Sequence, residues 1–207
     1  MKNFFISFEG IEGSGKSTQV GKLSSKLREE GKAIEVVREP GGTRVGELIR
    51  HITHDRENVE LTAVAEAYLM AAARAQLVRD IIKPALQSGK IVIADRFIDS
   101  SFAYQGYGRE LGEGTIFEMN KLAIDQVFPD LTFFLDISPE VGFARRNGTE
   151  KVDRLDLQQK DFYERVYRGY KKLAQKYKER YVVVDGSKSI DDVAEGIWME
   201  VIEKIKG

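Results

Sequence analysis

The sequence has 207 residues, with 32 lysines and arginines against 33 aspartates and glutamates and a formal net charge of −1. This balance excludes a global attraction to nucleic acid or acidic membranes, so an anion site must be local. The absence of cysteine excludes disulfides and thiolate metal ligands and is typical of a reducing compartment. The first apolar run, in MKNFFISFEG, is too short for a signal peptide or a membrane span. We expect one domain over residues 1–207, in the cytoplasm, with no nucleic-acid or membrane partner.

Five short β-branched or aromatic runs alternate with helical patterns along the chain. The runs lie at residues 4–8, 34–37, 91–94, 131–135 and 181–184. Runs of this kind are typical of buried parallel strands. Apolar residues at helical spacing predict helices between them, with one face at Val20, Leu23 and Leu27 and another at Val193, Ile197 and Val201. The alternation predicts an α/β fold with a five-stranded parallel sheet and helices on both faces.

The first strand is followed at once by a glycine-rich segment, GIEGSGKS at residues 10–17. It satisfies the pattern G-x-x-x-x-G-K-[ST] between a predicted strand and a predicted helix, which is typical of a P-loop NTPase fold. Backbone N–H groups of such a loop point at phosphate oxygens, and Lys16 would reach the outer phosphates. A glycine-rich turn with an exposed lysine is the alternative. The residues predicted to bind a nucleoside triphosphate are Gly10, Ile11, Glu12, Gly13, Ser14, Gly15, Lys16, Ser17 and Thr18.

Polar residues follow four of the predicted strands where each apolar run ends. They are Glu9-Gly10 after the first run, Arg38 to Gly42 after the second, Asp95-Arg96 after the third and Asp136 after the fourth. Ligands of open parallel sheets bind beyond the carboxyl ends of the strands, so these residues are expected to share one site. Asp95 and the Ser17 hydroxyl are predicted to hold Mg²⁺, although an Asp at a strand end is often only a helix or turn cap. Arg96 favours the functional interpretation because it places a cation beside the metal.

Several longer motifs run through the chain in a fixed order. They are FEGIEGSGKST at 8–18, REPGGT at 38–43, AAAR at 71–74, DRFIDSSFAYQG at 95–106, PDLTFFLDISPEVG at 129–142 and DRLD at 153–156. With these motifs the chain resembles the bacterial thymidylate kinases, nearly from end to end. The resemblance implies transfer of the γ-phosphoryl group of ATP to dTMP with Mg²⁺, in a homodimer built from helices, here those around 60–88 and 115–127.

The resemblance also implies a set of dTMP-binding residues: Glu39, Pro40, Arg50, Met70, Arg74, Arg96, Ser101, Tyr104 and Gln105. Arg96 and Arg50 would contact the acceptor phosphate, and the Glu39-Pro40 peptide is often cis in the family. Arg74, Ser101 and Gln105 would contact the base edge. Tyr104 would fill the space of a 2′-hydroxyl, and Met70 stands where many members stack a phenylalanine on thymine.

Catalysis is expected to rest on positive charge around the transferred group, without a general base or a phosphoenzyme. Beside Lys16 and Arg96, the resemblance implies arginines on a short mobile lid at about residues 144–156, hinged at Asn147-Gly148. The lid candidates are Arg145, Arg146 and Arg154, with Lys151 less favoured, and each could instead be a solvated helix end. The resemblance places Glu12 near the sugar 3′-hydroxyl and the adenine near residues 185–188.

Two other functions stay open at this point. A nucleoside or nucleoside monophosphate kinase of another specificity would share the phosphate loop, and a nucleotide-gated switch would share it without a second substrate. The lid arginines and the run from Asp95 to Gly106 favour a second substrate.

Overall fold

One parallel sheet organises the computed structural model, which describes residues 4–146, 154, 158 and 160–206. Its strands are β1 (Phe4–Glu9), β2 (Ile34–Arg38), β3 (Ile91–Asp95), β4 (Leu131–Asp136) and β5 (Tyr181–Asp185). Their order is β2-β3-β1-β4-β5, and every neighbouring pair is parallel. The predicted α/β fold with a five-stranded parallel sheet is confirmed.

Helices connect the strands and cover both faces of the sheet. They are α1 (Lys16–Glu29), α2 (Arg44–His54), α3 (Ala63–Leu77), α4 (Lys83–Gln87), α5 (Ile98–Ser101), α6 (Glu113–Ile124), α7 (Pro139–Arg146), α8 (Lys160–Lys176) and α9 (Ile190–Lys206), with π-helical stretches at Val78–Ile82 and Phe102–Gly108. No helix in the described ranges is long and apolar enough to cross a membrane.

Each face of the sheet packs against its own apolar cluster. On one face, the predicted apolar positions of α1 and α9, Leu27 and Val201 among them, pack on β-strand residues such as Phe133. On the other, Phe97, Phe102 and residues of α8 pack against the sheet. Leu27, Val201 and Phe133 are completely buried. The apolar helix faces predicted from the sequence are thus the ones that pack on the sheet.

All five strands run one residue further than their apolar runs. The added residues are Glu9, Arg38, Asp95, Asp136 and Asp185. The backbone pairing continues through them, since Arg38 and Phe8 both lie opposite Asp95 and Asp136 lies opposite Asp185. Hydrogen bonding of the backbone does not depend on side-chain polarity, so the ladder carries these polar side chains onto one edge of the sheet.

The chain after β3 departs from a simple strand-to-helix connection. It forms the short helix α5 and then the π-helical stretch Phe102–Gly108, which packs along α8. The approach is close at Gly108, where a Cβ atom would lie 2.7 Å from Phe162 Cε2 and from Val166 Cγ2. A glycine at this position lets the stretch lie close to α8, because a larger residue would require Phe162 and Val166 to shift.

A buried ion pair joins this segment to the start of β5. Asp99 is completely buried and accepts hydrogen bonds from Nη1 and Nη2 of Arg180, both at 2.7 Å. The two parallel hydrogen bonds and the low exposure make this a buried ion pair. Removing either partner would leave the other charge buried without compensation, at a large desolvation cost.

We predict that Asp99→Ala lowers the free energy of unfolding by about 3–5 kcal/mol, because it leaves the Arg180 charge buried without its partner. The matched control is Asp191→Ala, which removes the exposed Lys22–Asp191 pair and should cost at most about 1 kcal/mol. Denaturant unfolding at neutral pH measures both values. Equal losses in the two variants would contradict the structural role of the buried pair.

Candidate active site

The phosphate loop lies between β1 and α1 at the polar edge of the sheet. Gly13 and Gly15 have φ angles of 76° and 92°, which let the backbone curl around the loop's centre. Lys16 is buried at the start of α1, and its Nζ donates to the Ile11 carbonyl at 2.8 Å. Burial, together with the charge of Arg96, lowers the pKa of Lys16 to about 7. An anion bound in the loop would restore the positive charge of this lysine.

One flank of the loop packs against α7 and the turn after β5. A Cβ atom on Gly13 would lie 2.4 Å from the Gly142 carbonyl oxygen, so the loop and α7 meet backbone to backbone. Arg145 extends from α7 and donates from Nη2 to the Gly186 carbonyl at 3.0 Å. A cavity beside the loop is lined by Gly13, Arg145, Gly186 and Lys188, among others. This is the region predicted to hold the adenine.

The two predicted metal ligands are in contact. Ser17 Oγ donates to Asp95 Oδ2 at 2.5 Å, across the gap between α1 and β3. Hydroxyl and carboxylate oxygens suit Mg²⁺, which usually takes one or two protein ligands and completes its shell with phosphate oxygens and water. Within the described ranges, no cluster of three or more potential metal-ligating His, Asp or Glu side chains occurs. The residues present therefore fit a magnesium ion held jointly with a nucleotide.

A second cavity opens beside the phosphate loop, with Glu12 of the loop on its wall. We call it the acceptor cavity. It is lined by Glu12, Glu39, Pro40, Arg50, His54, Met70, Arg96, Ser100, Ser101, Tyr104 and Gln105. All the predicted dTMP-binding residues except Arg74 are among them. His54 and Ser100 are lining residues that the sequence did not indicate.

Arg96 stands between the phosphate loop and the acceptor cavity. Its Nη1 donates to the Gly10 carbonyl and to Ser100 Oγ, both at 3.0 Å, and its Nη2 donates to the Tyr104 hydroxyl at 3.2 Å. Its backbone has a φ angle of 74°, which is unfavourable for a side chain larger than glycine. Such local strain persists when surrounding contacts enforce it, and it is concentrated at functional sites.

A buried glutamate, Glu9, shares hydrogen-bonding partners with Arg96. Glu9, at the end of β1, accepts from the Phe97 amide at 2.8 Å, from Ser100 Oγ at 2.6 Å and from the Tyr170 hydroxyl at 3.1 Å. Burial and the negative charge of Asp99 raise the pKa of Glu9 to about 7, against these hydrogen bonds and the charge of Arg96. Ser100 and Tyr170 also accept from Arg96, so Glu9 and Arg96 share two hydroxyl partners.

Arg74 lies behind the acceptor cavity. Its Nε donates to both oxygens of Glu39, at 3.1 and 2.9 Å, and its Nη2 donates to Glu39 Oε2 at 2.5 Å and to Ser101 Oγ at 3.1 Å. The Glu39-Pro40 peptide is cis. Arg74 thus contacts Ser101, which lines the acceptor cavity, and its expected contact with the base edge stays a prediction.

Arg154 is not among the residues that line the acceptor cavity or the cavity beside α7. It is buried, pairs through Nη2 with Glu66, and donates from Nε to the Thr53 carbonyl at 2.9 Å. Its backbone amide donates to the His54 carbonyl at 3.0 Å. These contacts tie Arg154 to α2 and α3. Nothing in the sequence pointed to Glu66, because a lone glutamate on a helix is usually exposed.

The remaining lid candidates divide by position. Arg145 lies beside the phosphate loop, as described above. Arg146 ends α7, and its side chain lies outside the described residues, as do Lys151 and the predicted hinge at Asn147-Gly148. The phosphate-contacting roles of Arg145, Arg146 and Arg154 stay predictions.

Comparisons with known proteins agree with this geometry. The family model described as thymidylate kinase matches residues 8–197. The chain belongs to the thymidylate kinase family. A thymidylate kinase from Geobacillus thermodenitrificans is 46% identical over all of this chain and 93% of its own length, and one from Caldanaerobacter subterraneus is 46% identical over all of this chain and 99% of its own. The solved thymidylate kinase from Ehrlichia chaffeensis is 35% identical and superposes with a TM-score of 0.77 over 98% of both chains.

Membership of this family makes the chain a nucleotide-binding kinase and accounts for two cavities meeting at one phosphate loop. Glu9 was expected at the polar edge of the sheet, and it lies there at the end of β1. Among the residues that the sequence did not indicate, Ser100 lies within the DRFIDSSFAYQG motif, and its place in that motif was the available signal. Glu66, Arg109 and Tyr170 lie outside the quoted motifs, and the sequence carried no signal for their roles.

We predict that the protein takes up close to one proton when a nucleoside triphosphate binds at pH 8. The bound phosphates would restore the positive charge of Lys16, whose pKa in the free protein is about 7. At pH 6 Lys16 is already mostly protonated, so the uptake from this residue should nearly vanish. Calorimetric titration in buffers of different ionisation enthalpy measures the proton count. The Lys16→Met variant should lose the uptake at pH 8, and an unchanged uptake would contradict the assignment.

Proposed function

We propose that this chain transfers the γ-phosphoryl group of ATP to dTMP, forming dTDP and ADP, with Mg²⁺ bound beside the phosphates. The observation that carries the proposal is the position of Arg96, which contacts the phosphate loop at Gly10 and lines the acceptor cavity with Tyr104 and Ser100. One guanidinium can thereby face an acceptor phosphate next to the loop that holds the donor. Membership of the thymidylate kinase family supplies the identity of the acceptor.

The chain's own groups would align two phosphates and neutralise their charge. Lys16 and the backbone amides of the loop hold the outer phosphates of ATP, and Arg96 with Arg50 holds the phosphate of dTMP. Bound Mg²⁺, held by Ser17 and Asp95, supplies charge neutralisation at the donor phosphates. The acceptor phosphate oxygen is already a nucleophile, so no side chain has to remove a proton from it. Glu12, which lines the acceptor cavity, lies close to both substrates.

Residues 144–156 act as a lid on this domain in the proposal. Arg145 already lies beside the phosphate loop, where its charge supports a role at the ATP phosphates. Arg146 and Arg154 are the other two arginines of the proposed lid. Closure over the substrates would exclude water, which otherwise competes with dTMP as the acceptor.

The acceptor cavity suits a deoxyribonucleotide with a pyrimidine base. Ser101 and Gln105 offer hydrogen-bonding groups for the base edge, and Met70 offers an apolar surface for its ring. Burial raises the pKa of Tyr104 to about 12, so its hydroxyl stays neutral. The Tyr104 ring is fixed by the guanidinium of Arg96 at 5.0 Å from its centre, and it would exclude a 2′-hydroxyl by steric clash.

We predict rapid ADP formation from ATP and Mg²⁺ with dTMP, and little with UMP, CMP, AMP, GMP or no acceptor. The Arg96→Ala variant should lose about 10³-fold or more in kcat/KM for dTMP, the lower end of the effect of an arginine at a phosphoryl transition state. A coupled assay of ADP formation measures both.

The matched control is Arg28→Ala, on the exposed end of α1, which should stay within about twofold of the parent chain. Activity led by a ribonucleotide would indicate a nucleotide kinase of another specificity. Hydrolysis independent of the acceptor would indicate a switch. Either result would contradict the proposed reaction.

We also propose that the chain works as a homodimer in the cytoplasm. The helices α3 and α6 pack together and expose apolar side chains: Val64 and Tyr68 are 49% and 60% exposed, and Leu122 is 93% exposed. Val64 and Tyr68 lie four residues apart and therefore share one face of α3. Covering these side chains with the same face of a second copy would remove the apolar area from water.

We predict that Leu122→Glu shifts the chain from dimer to monomer, because a charge buried in an apolar interface is costly. Sedimentation equilibrium measures the mass. Met199→Glu changes an exposed apolar residue on α9 and should leave the dimer intact. A parent chain that is monomeric, or a dimer insensitive to Leu122→Glu, would reject this surface as the interface.

A further inference from the structure

Behind the acceptor cavity lies a buried carboxylate that the proposed reaction does not use. Glu66, on α3, is completely buried. It accepts hydrogen bonds from Gln105 Nε2 at 2.7 Å, from Arg109 Nη2 at 3.0 Å and from Arg154 Nη2. Gln105 is the one of these three donors that lines the acceptor cavity. Gln105 therefore connects Glu66 to any ligand in that cavity through one intervening side chain.

This contact decides which end of the Gln105 amide faces a ligand. Although burial opposes ionisation, the charge of Arg109 and the hydrogen bonds from Gln105 and Arg154 hold the pKa of Glu66 below its ordinary value. An ionised carboxylate only accepts hydrogen bonds, so the amide must turn its NH₂ group toward Glu66. With Nε2 turned toward Glu66, the carbonyl oxygen Oε1 is the acceptor that Gln105 can offer to the cavity.

A second contact orients the Ser101 hydroxyl so that it can donate, rather than accept, a hydrogen bond in the cavity. Arg74 Nη2 donates to Ser101 Oγ at 3.1 Å, and a guanidinium has no acceptor atom. The Ser101 oxygen is thus engaged as an acceptor, and its own hydrogen is free to point at a ligand. The cavity presents one acceptor from Gln105 and one donor from Ser101, and each polarity is set by a buried charge behind it.

We propose that Glu66 is a positioning residue that sets the base specificity of the acceptor cavity, by holding Gln105 with its carbonyl oxygen toward the base. This inference rests on the proposed function, in which the acceptor is a pyrimidine nucleotide. Thymine and uracil carry an N3–H donor beside a carbonyl acceptor, which complements Gln105 and Ser101. Cytosine carries an acceptor at N3 and an amino group at position 4, so both contacts would be mismatched. A site built around fixed hydrogen-bonding partners discriminates strongly against such a mismatch.

The test compares kcat/KM for dTMP, dUMP and dCMP in the parent chain, in Glu66→Gln and in Arg109→Lys. An amide at position 66 can donate as well as accept, so Gln105 becomes free to turn its NH₂ group toward the base. We expect the ratio of kcat/KM for dTMP to that for dCMP to fall by about tenfold or more in Glu66→Gln, mostly through KM for dTMP. The value for dUMP should fall with that for dTMP, because the two bases share the N3–H.

Arg109→Lys is the matched control, because it weakens a different partner of Glu66 and leaves the contact with Gln105 in place. In this variant the ratio should stay within about threefold of the parent value, whatever happens to the absolute rates. If Glu66→Gln does not fold, Glu66→Asp serves instead, since it keeps the charge but withdraws it from Gln105 by one methylene. Its ratio should fall in the same direction by a smaller factor.

An unchanged ratio in a folded Glu66→Gln or Glu66→Asp variant would overturn the inference, and so would an equal fall of the ratio in Arg109→Lys. A parent chain without activity on dTMP would overturn the proposed function instead. The two failures are therefore distinguishable.

Discussion

The half-buried guanidinium of Arg96 makes the interactions on which the site depends. Its hydrogen bonds join the phosphate loop at Gly10 to Tyr104 and Ser100 in the acceptor cavity. A planar cation with several donors can hold these groups and still face a phosphate, which a lysine could not do with the same geometry. The unfavourable φ angle of Arg96 shows that the surrounding structure imposes this position.

Burying this much charge requires compensation, and the structure provides it by pairing. Four carboxylates are buried in the described part of the chain, and each has an arginine close to it: Glu9 with Arg96, Glu39 with Arg74, Glu66 with Arg154 and Asp99 with Arg180. Pairs of this kind add little net stability compared with an apolar core, but losing one partner is costly. Their effect here is to fix the orientation of polar groups around two cavities before substrates arrive, which is the arrangement that phosphoryl transfer requires.

The strands and the sheet-covering helix faces followed from the sequence because burial leaves a periodic signal. Each predicted strand stopped one residue early, since the apolar pattern ends at Glu9 and Asp95 while the backbone ladder continues. The phosphate loop and most of the acceptor cavity were also indicated by motifs. The hydrogen-bonding partners behind them were not, because Glu66 and Tyr170 are far along the chain from the residues they support. The resemblance implied Arg74 at the base edge, and the structure adds its contacts with Glu39 and Ser101, which no motif indicated.

The sequence by itself determined the class of fold, the triphosphate loop and the family, because each depends on local patterns or on ordered motifs. Only the tertiary structure decided which buried charge faces which polar group. These contacts depend on how α3, the segment after β3 and Arg154 pack together in space. A buried carboxylate such as Glu66 can be assigned a role only when the group that donates to it is known. The direction in which Gln105 and Ser101 present their hydrogen-bonding groups is therefore a property of the packed structure.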